Sequence, residues 1–244
     1  MDLLIGTLVL RPYVFGFLAA FLVAGARDLG WRRVVLFGAS VWPVAWLAEF
    51  SSTRTGVPFG LYAYTGTTRG QELFIADAPF IDALSFTFLA YAAFCLARSA
   101  LGRGASPTAV TVLGGVFMML LDVVIDPVAV RGDRWFLGQI FYYPNGGVYF
   151  GVPLSNFVGW TLVGMVGIGG YIYGRGPARA FGDKPIGGIA LYYAVLGFNL
   201  AVTAWIGEWV LLVTGLVVHA TVAAVVFVLR RRPLPWADME SQKA

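Results

Sequence analysis

Residues 109–130 read AVTVLGGVFMMLLDVVIDPVAV. A spanning helix needs about 20 consecutive apolar residues, and this run has that length and no charge other than Asp122 and Asp126. An ionisable group at membrane depth costs several kcal/mol unless it is paired, neutralised or turned toward a cavity. The stretch therefore announces both a bilayer-spanning helix and a candidate functional site.

Working outward, six further runs have the same character: Pro12–Ala26, Val34–Phe50, Pro79–Leu96, Asn156–Tyr173, Gly187–Ile206 and Trp209–Leu229. Composition agrees. Of 244 residues, 59% are hydrophobic and 12% charged, with mean hydropathy +0.77, whereas soluble domains carry about 25% charged residues. The expected fold is an all-α polytopic membrane protein of about seven transmembrane helices, with residues 1–244 forming one integral membrane domain. Asp2 and the apolar start lack a basic leader region, so no cleaved signal is expected.

The net charge is +4, and its distribution is a topology signal. Arg27, Arg32, Arg33, Arg98, Arg103, Arg175, Arg179, Lys184, Arg230, Arg231, Arg232 and Lys243 fall on one side of the spans. Arg11, Arg54, Arg69, Arg131 and Arg134 fall on the other. The basic excess marks the cytoplasmic side, which puts the C-terminus inside and the N-terminus outside a plasma membrane. No basic patch interleaved with exposed aromatics suggests nucleic-acid binding.

Two connections on the non-cytoplasmic side are long, SSTRTGVPFGLYAYTGTTRGQELFIADA (51–78) and RGDRWFLGQIFYYPNGGVYFGVPLS (131–155). Their aromatic content and low charge argue for ordered caps or re-entrant segments rather than disorder. Asp77 or Ala78 is expected to cap the third span, and Ser155 or Asn156 the fifth. Pro127 should push Asp126 out of helical geometry and unwind the fourth span there, and Pro43 is a candidate kink in the second.

Asp122 and Asp126 are four residues apart, hence on one helix face. Two carboxyls that close in an apolar setting share a proton more easily than they carry two charges, which suits a general acid. The plain alternative has them capping loop amides or pairing with Arg131 and Arg134. Glu49 ends the second span as a proton donor or hydrogen-bond anchor in the same cavity, or as an interfacial partner of Arg54. Asp82 opens the third span, where a first-turn acid also suits the helix dipole.

His219 is the sole histidine, and a zinc site needs three or four ligands, so it reads as a packing residue before a proton shuttle. Asn199 and Glu208 are weaker candidates. The lone Cys95 excludes an internal disulfide and any multi-cysteine metal site, and reads as a buried packing residue; no metal site is expected. Aromatics near the acids, among them Tyr62, Tyr64, Trp135, Tyr149 and Trp160, form either an interfacial belt or a π-lined pocket able to hold a cation. Nucleotide-binding glycine loops, GxSxG, HExxH and CxxC are absent.

The segments AEFSSTRTGVPFGLYAYTG (48–66), LLDVVIDPVAVRGDRW (120–135) and YFGVPLSNFVGW (149–160) together resemble the CruF-type carotenoid hydratases, strongly over Arg11–Trp160 and weakly over the last two spans. Phe136 departs from the pattern, where a second Trp is expected after Trp135. The resemblance implies a carotenoid 1,2-hydratase, a hydro-lyase that adds water across the terminal double bond of an acyclic ψ end to give a tertiary alcohol. It implies no cofactor, a lycopene or γ-carotene type substrate with water, and a site opening to the lipid bilayer; other carotenoid-biosynthesis enzymes are candidate partners. On this reading Asp122 or Asp126 donates the proton and the other orients water. Glu49 completes the cluster, and Tyr62, Tyr64, Asp82, Trp135, Tyr149, Asn156 and Trp160 shape the substrate pocket. The rival readings are a membrane lycopene cyclase, a UbiA-like prenyltransferase, which needs two aspartate-rich motifs where only one is present, a proton-coupled transporter, and a lipid-binding protein without turnover.

Overall fold

The computed structural model describes residues 2–102 and 104–231; Arg103, Arg232 and Lys243 of the charge pattern lie outside them. Among the described residues nine α-helices run in order: α1 (Leu3–Leu10), α2 (Pro12–Asp28), α3 (Trp31–Thr55), α4 (Phe80–Leu101), α5 (Pro107–Ala129), α6 (Leu154–Arg175), the short α7 (Pro177–Ala180), α8 (Ile186–Trp205) and α9 (Trp209–Arg231). The chain is an all-α, multi-pass membrane protein. Six of these helices (α3, α4, α5, α6, α8 and α9) are individually long and apolar enough to cross a bilayer. The first expected span is shorter than that: α2 qualifies only together with α1, from which it is bent by 91° at Arg11.

The hub is α4. Its alanines Ala83, Ala90, Ala92, Ala93 and Ala97 are fully buried, and it packs against α2, α3, α5, α8 and α9. A helix apolar all round belongs at the centre of a bundle, and the small side chains let its neighbours approach. The most extensive helix contact is that of α5 with α6. A Cβ on Gly115 would meet the Thr161 carbonyl oxygen at 2.6 Å, and one on Gly164 would meet the Gly115 Cα at 2.9 Å. Small residues at such crossings are the usual basis of close helix packing in membranes. Here they carry the first turn of α6 to the acidic end of α5. Gly164→Leu should therefore cost about 1–3 kcal/mol through overpacking, read as a lower melting temperature of the detergent-solubilised protein together with lost activity. Unchanged stability would show that the two helices separate freely.

Both long connections are ordered, and they are tied to each other by a two-residue antiparallel ladder in which β1 (Ala63–Tyr64) pairs with β4 (Phe141–Tyr142), Ala63 opposite Tyr142. Thr65 extends the tie, its amide donating to the Ile140 carbonyl at 2.9 Å and its hydroxyl to that of Gln139 at 2.7 Å. Within the first connection, β2 (Phe74–Ile75) pairs with β3 (Ala78–Pro79).

Three expectations about helix ends are corrected. Asp77 does not cap α4. Its carboxylate is held by Arg54 at 2.7 Å and Arg69 at 3.0 Å, and α4 begins after Pro79 with no side-chain cap. Likewise α6 starts at Leu154, ahead of both proposed caps, and Asn156 sits in its first turn with its side chain turned to α5. The fourth span does not unwind at Pro127: α5 continues to Ala129. Proline deletes one helix bond there, but the Val130 amide still reaches the Asp126 carbonyl at 2.9 Å and Arg131 holds the Pro127 carbonyl at 2.8 Å, so the last turn closes. α3 also runs one turn beyond Phe50. Thr53 and Thr55 hydrogen-bond back to helix carbonyls until Gly56, at φ +79°, ends the helix in the left-handed region.

At the end of the bundle away from the two long connections, Asp28 is a buried anchor. It accepts from Arg98 at 2.7 Å, from the Tyr91 hydroxyl at 3.2 Å and from the Lys184 amide at 2.8 Å, which joins α2 and α4 to the segment before α8. Cys95 is a free, buried thiol beside it.

Candidate active site

At the opposite end, α2, α3, α4, α5, α6 and α8 surround a cavity of about 150 Å³. Glu49 enters from α3, Asp82 from α4, Asp126 from α5, and Asn156 and Trp160 from α6. Tyr62, Tyr64, Trp135, Leu137 and Tyr143 close the roof from the two connections. The walls are otherwise apolar and aromatic; Phe86 stacks on Trp160 with centroids 4.2 Å apart and planes 12° from parallel.

The acids are held in distinct ways. Asn156 Nδ2 donates to Asp122 Oδ2 at 2.6 Å and to Asp126 Oδ2 at 2.8 Å, so a single amide group bridges both carboxyls. The Tyr143 hydroxyl adds a second donor to Asp126 at 3.2 Å. Asp122 is fully buried and absent from the cavity wall, with Oδ1 lacking a partner among the described residues. It stands behind Asp126. Glu49 is 3% exposed and lines the cavity, and its Oε2 also has no partner among the described residues. Burial, and then the nearby Glu49 carboxylate, push the Tyr62 and Tyr64 hydroxyls up from their ordinary range. Burial and then the Asp126 charge do the same to Tyr143. All three phenols therefore remain O–H donors at neutral pH.

The expected ion-pair alternatives are not what forms. Arg131 and Arg134 go to Glu208 rather than to Asp122 or Asp126, and Arg54 goes to Asp77 rather than to Glu49. Eight of the singled-out residues (Glu49, Tyr62, Tyr64, Asp82, Asp126, Trp135, Asn156 and Trp160) share the cavity. Tyr149 does not reach it. Its backbone is locked to Val152 by two hydrogen bonds of 3.1 and 2.9 Å, and its ring packs edge-on against Phe150 and Phe157. Asn199 does line the α8 wall. His219 lies away from the cavity, bonded at 2.9 Å to the Leu120 carbonyl.

The carotenoid biosynthesis protein family matches residues 3–222 of the chain. This chain belongs to that family. Among curated relatives it is similar to bisanhydrobacterioruberin hydratase from Haloarcula japonica, 33% identical over 192 residues that cover 76% of this chain and 62% of the relative. The chain thus spans less than two thirds of that relative's length. No solved structure matches it.

Sequence reasoning passes over several residues in this family member's cavity. Tyr13, Phe17 and Phe198 read only as parts of spans, yet all three line it. Tyr143 is one of many loop aromatics in the sequence; its neighbour Tyr142 is 43% exposed whereas Tyr143 is 9% exposed and bonded to Asp126. Arg11 reads only as a basic loop residue. It is instead buried against Glu72, Nη2 to Oε1 at 2.9 Å and Nε to Oε2 at 3.3 Å, with Nη1 donating to the Leu137 carbonyl at 3.2 Å. The one available signal is the presence of a lone Arg immediately before Pro12 between two apolar runs.

Proposed function

We propose that this protein is a carotenoid hydratase, a hydro-lyase that adds water across the terminal C-1,2 double bond of an acyclic ψ end group and leaves a tertiary 1-hydroxy carotenoid. One observation carries the reading: carboxyl groups from three different helices, those of Glu49, Asp82 and Asp126, converge in an aromatic cavity inside a bundle built to sit in lipid. The relative's name points to the same class of reaction.

The chemistry follows from the placement. Asp126 faces the cavity and acts as the acid, giving H⁺ to C-2 while the π electrons form the new C–H bond. Asp122 behind it shares the pair's proton, and Asn156, donating to both carboxyls, fixes their direction. The positive charge at tertiary C-1 lies against the ring faces of Trp160, Phe86 and Tyr62, whose quadrupoles attract cations. A water directed by the free oxygen of Glu49 forms the C–O bond and loses its extra proton to that carboxylate, and return of a proton from Glu49 to Asp126 through solvent restores the starting state. One water is added and no electrons are exchanged. Asp82, Tyr64 and Trp135 shape the pocket.

On this reading the chain works as one domain in the plasma membrane, N-terminus outside and C-terminus cytoplasmic, with surrounding lipid and neighbouring carotenoid-biosynthesis enzymes as proposed partners. Expression in a lycopene-producing host should yield a pigment heavier by one water by mass spectrometry. A product of unchanged mass would instead mean cyclisation. A prenylated, magnesium-dependent product would mean a prenyltransferase, and unaltered pigment would remove the hydratase reading.

A further inference from the structure

A second hollow, an open groove of about 500 Å³, lies against the first, on the lipid-facing side of the bundle between α2 and α8. Tyr13 and Phe17 line both. The cause of the groove is local. Where the two helices touch, a Cβ on Gly187 would come within 2.8 Å of the Ala24 Cβ. Toward the cavity the facing residues are Ala20 and Gly16 on α2 with Ala190 and Ala194 on α8, side chains too short to fill the space, and a Cβ on Gly16 would meet nothing within 4 Å. At the upper end the Tyr13 and Phe198 rings stack at 5.0 Å and 16°, and Phe17 packs on Phe198 edge-on at 5.7 Å. These rings form an uncharged partition between groove and acids. Beyond it, the buried Oε2 of Glu49 lines the inner cavity without a partner among the described residues, an arrangement that suits an entering ligand.

Conjugation keeps a polyene straight. Only one end of such a molecule can enter the inner cavity, and the rest must leave through an opening with nearly all-apolar walls; in the α2–α8 groove Tyr13 is the one lining side chain with a hydroxyl. We infer that the α2–α8 groove seats the unreacted polyene arm of the substrate, and that Tyr13, Phe17 and Phe198 form the sleeve through which the reacting end passes. Ala190 and Ala194 then set the groove's width and are specificity-determining residues. The inference rests on the hydratase reading for the identity of the arm, and on the shared Tyr13 and Phe17 wall of the two hollows for its place.

The test reads two quantities from one lycopene-producing host: pigment retained by the purified full chain, and hydrated product. Ala194→Phe and, from the facing helix, Gly16→Leu should each lower both by about tenfold or more, the scale of loss when a pocket rejects added bulk. Asp126→Asn should keep its pigment and lose only product. Val217→Phe, an equally bulky change on the exposed face of α9, should alter neither. Wild-type pigment and product in both groove variants would overturn the inference. So would a co-purifying acyl lipid that is lost from the Ala194→Phe variant with turnover unchanged, which would make the groove a lipid seat only. If the wild type retains pigment that the groove variants lose but makes no hydrated product, the groove stands and the hydratase reading fails. Loss of pigment from Val217→Phe as well would also overturn it, since bulk anywhere on the bundle would then suffice.

Discussion

Asp126→Asn is expected to abolish hydrated product while the protein still assembles in the membrane. Asparagine matches the shape of aspartic acid, and its carbonyl oxygen can accept the bonds now made by Asn156 Nδ2 at 2.8 Å and the Tyr143 hydroxyl at 3.2 Å. What it cannot do is deliver a proton as a carboxyl group does. A positioned general acid is worth about 10²–10⁴ in rate, so product at equal membrane abundance should fall by at least two orders of magnitude. Mass analysis of extracted pigment against quantified protein makes the comparison. Undiminished product would remove Asp126 from the mechanism and leave Glu49 or Asp82 as the acid.

The largest stability effect is expected at Glu72→Gln. Arg11 and Glu72 are 2% and 1% exposed, and the pair ties the α1–α2 corner to the first connection, while the Arg11 bond to the Leu137 carbonyl ties the same corner to the second. The Thr7 hydroxyl, which accepts from the Leu73 amide at 2.9 Å, completes the joint. Removing one partner of a buried ion pair leaves an uncompensated charge and commonly costs about 3–5 kcal/mol. Thermal unfolding of the detergent-solubilised variant should drop by about 10 °C, taking a few degrees per kcal/mol for a chain of this size. Because Leu137 and Tyr13 also line the cavity, activity should fall with it. Replacing both partners by apolar residues, Arg11→Met with Glu72→Leu, should recover much of the lost stability, since no charge is then stranded. A single variant as stable as the wild type would show that the Arg11–Glu72 pair does not hold the roof.

The elements legible from one sequence are those that the bilayer itself imposes. No backbone group can remain unpaired in hydrocarbon, so spans must be helices of sufficient apolar length, and the runs through α3, α4, α5, α6, α8 and α9 are readable for that reason. An acid in such a run stands out against its neighbours, which is how Glu49, Asp82, Asp122 and Asp126 come to notice. Aromatic, weakly charged connections can likewise be read as ordered.

The ranking of those residues is decided elsewhere. Asp122 and Asp126 share a helix face, yet four residues displace them by about 6 Å along the axis. Only the approach of α6 across Gly115 and Gly164 settles that Asn156 bridges them and that Asp126 alone meets the cavity. The same holds for Tyr143 rather than Tyr149 and for Arg11 with Glu72, 61 residues apart in the chain. By itself the sequence determined a membrane bundle with acids at depth, because solvation by lipid acts residue by residue. The tertiary structure alone decided which acid faces the hollow, which ring roofs it and which charges pair, because those outcomes depend on how distant helices pack and on the few ångströms that separate a shared wall from a buried seam.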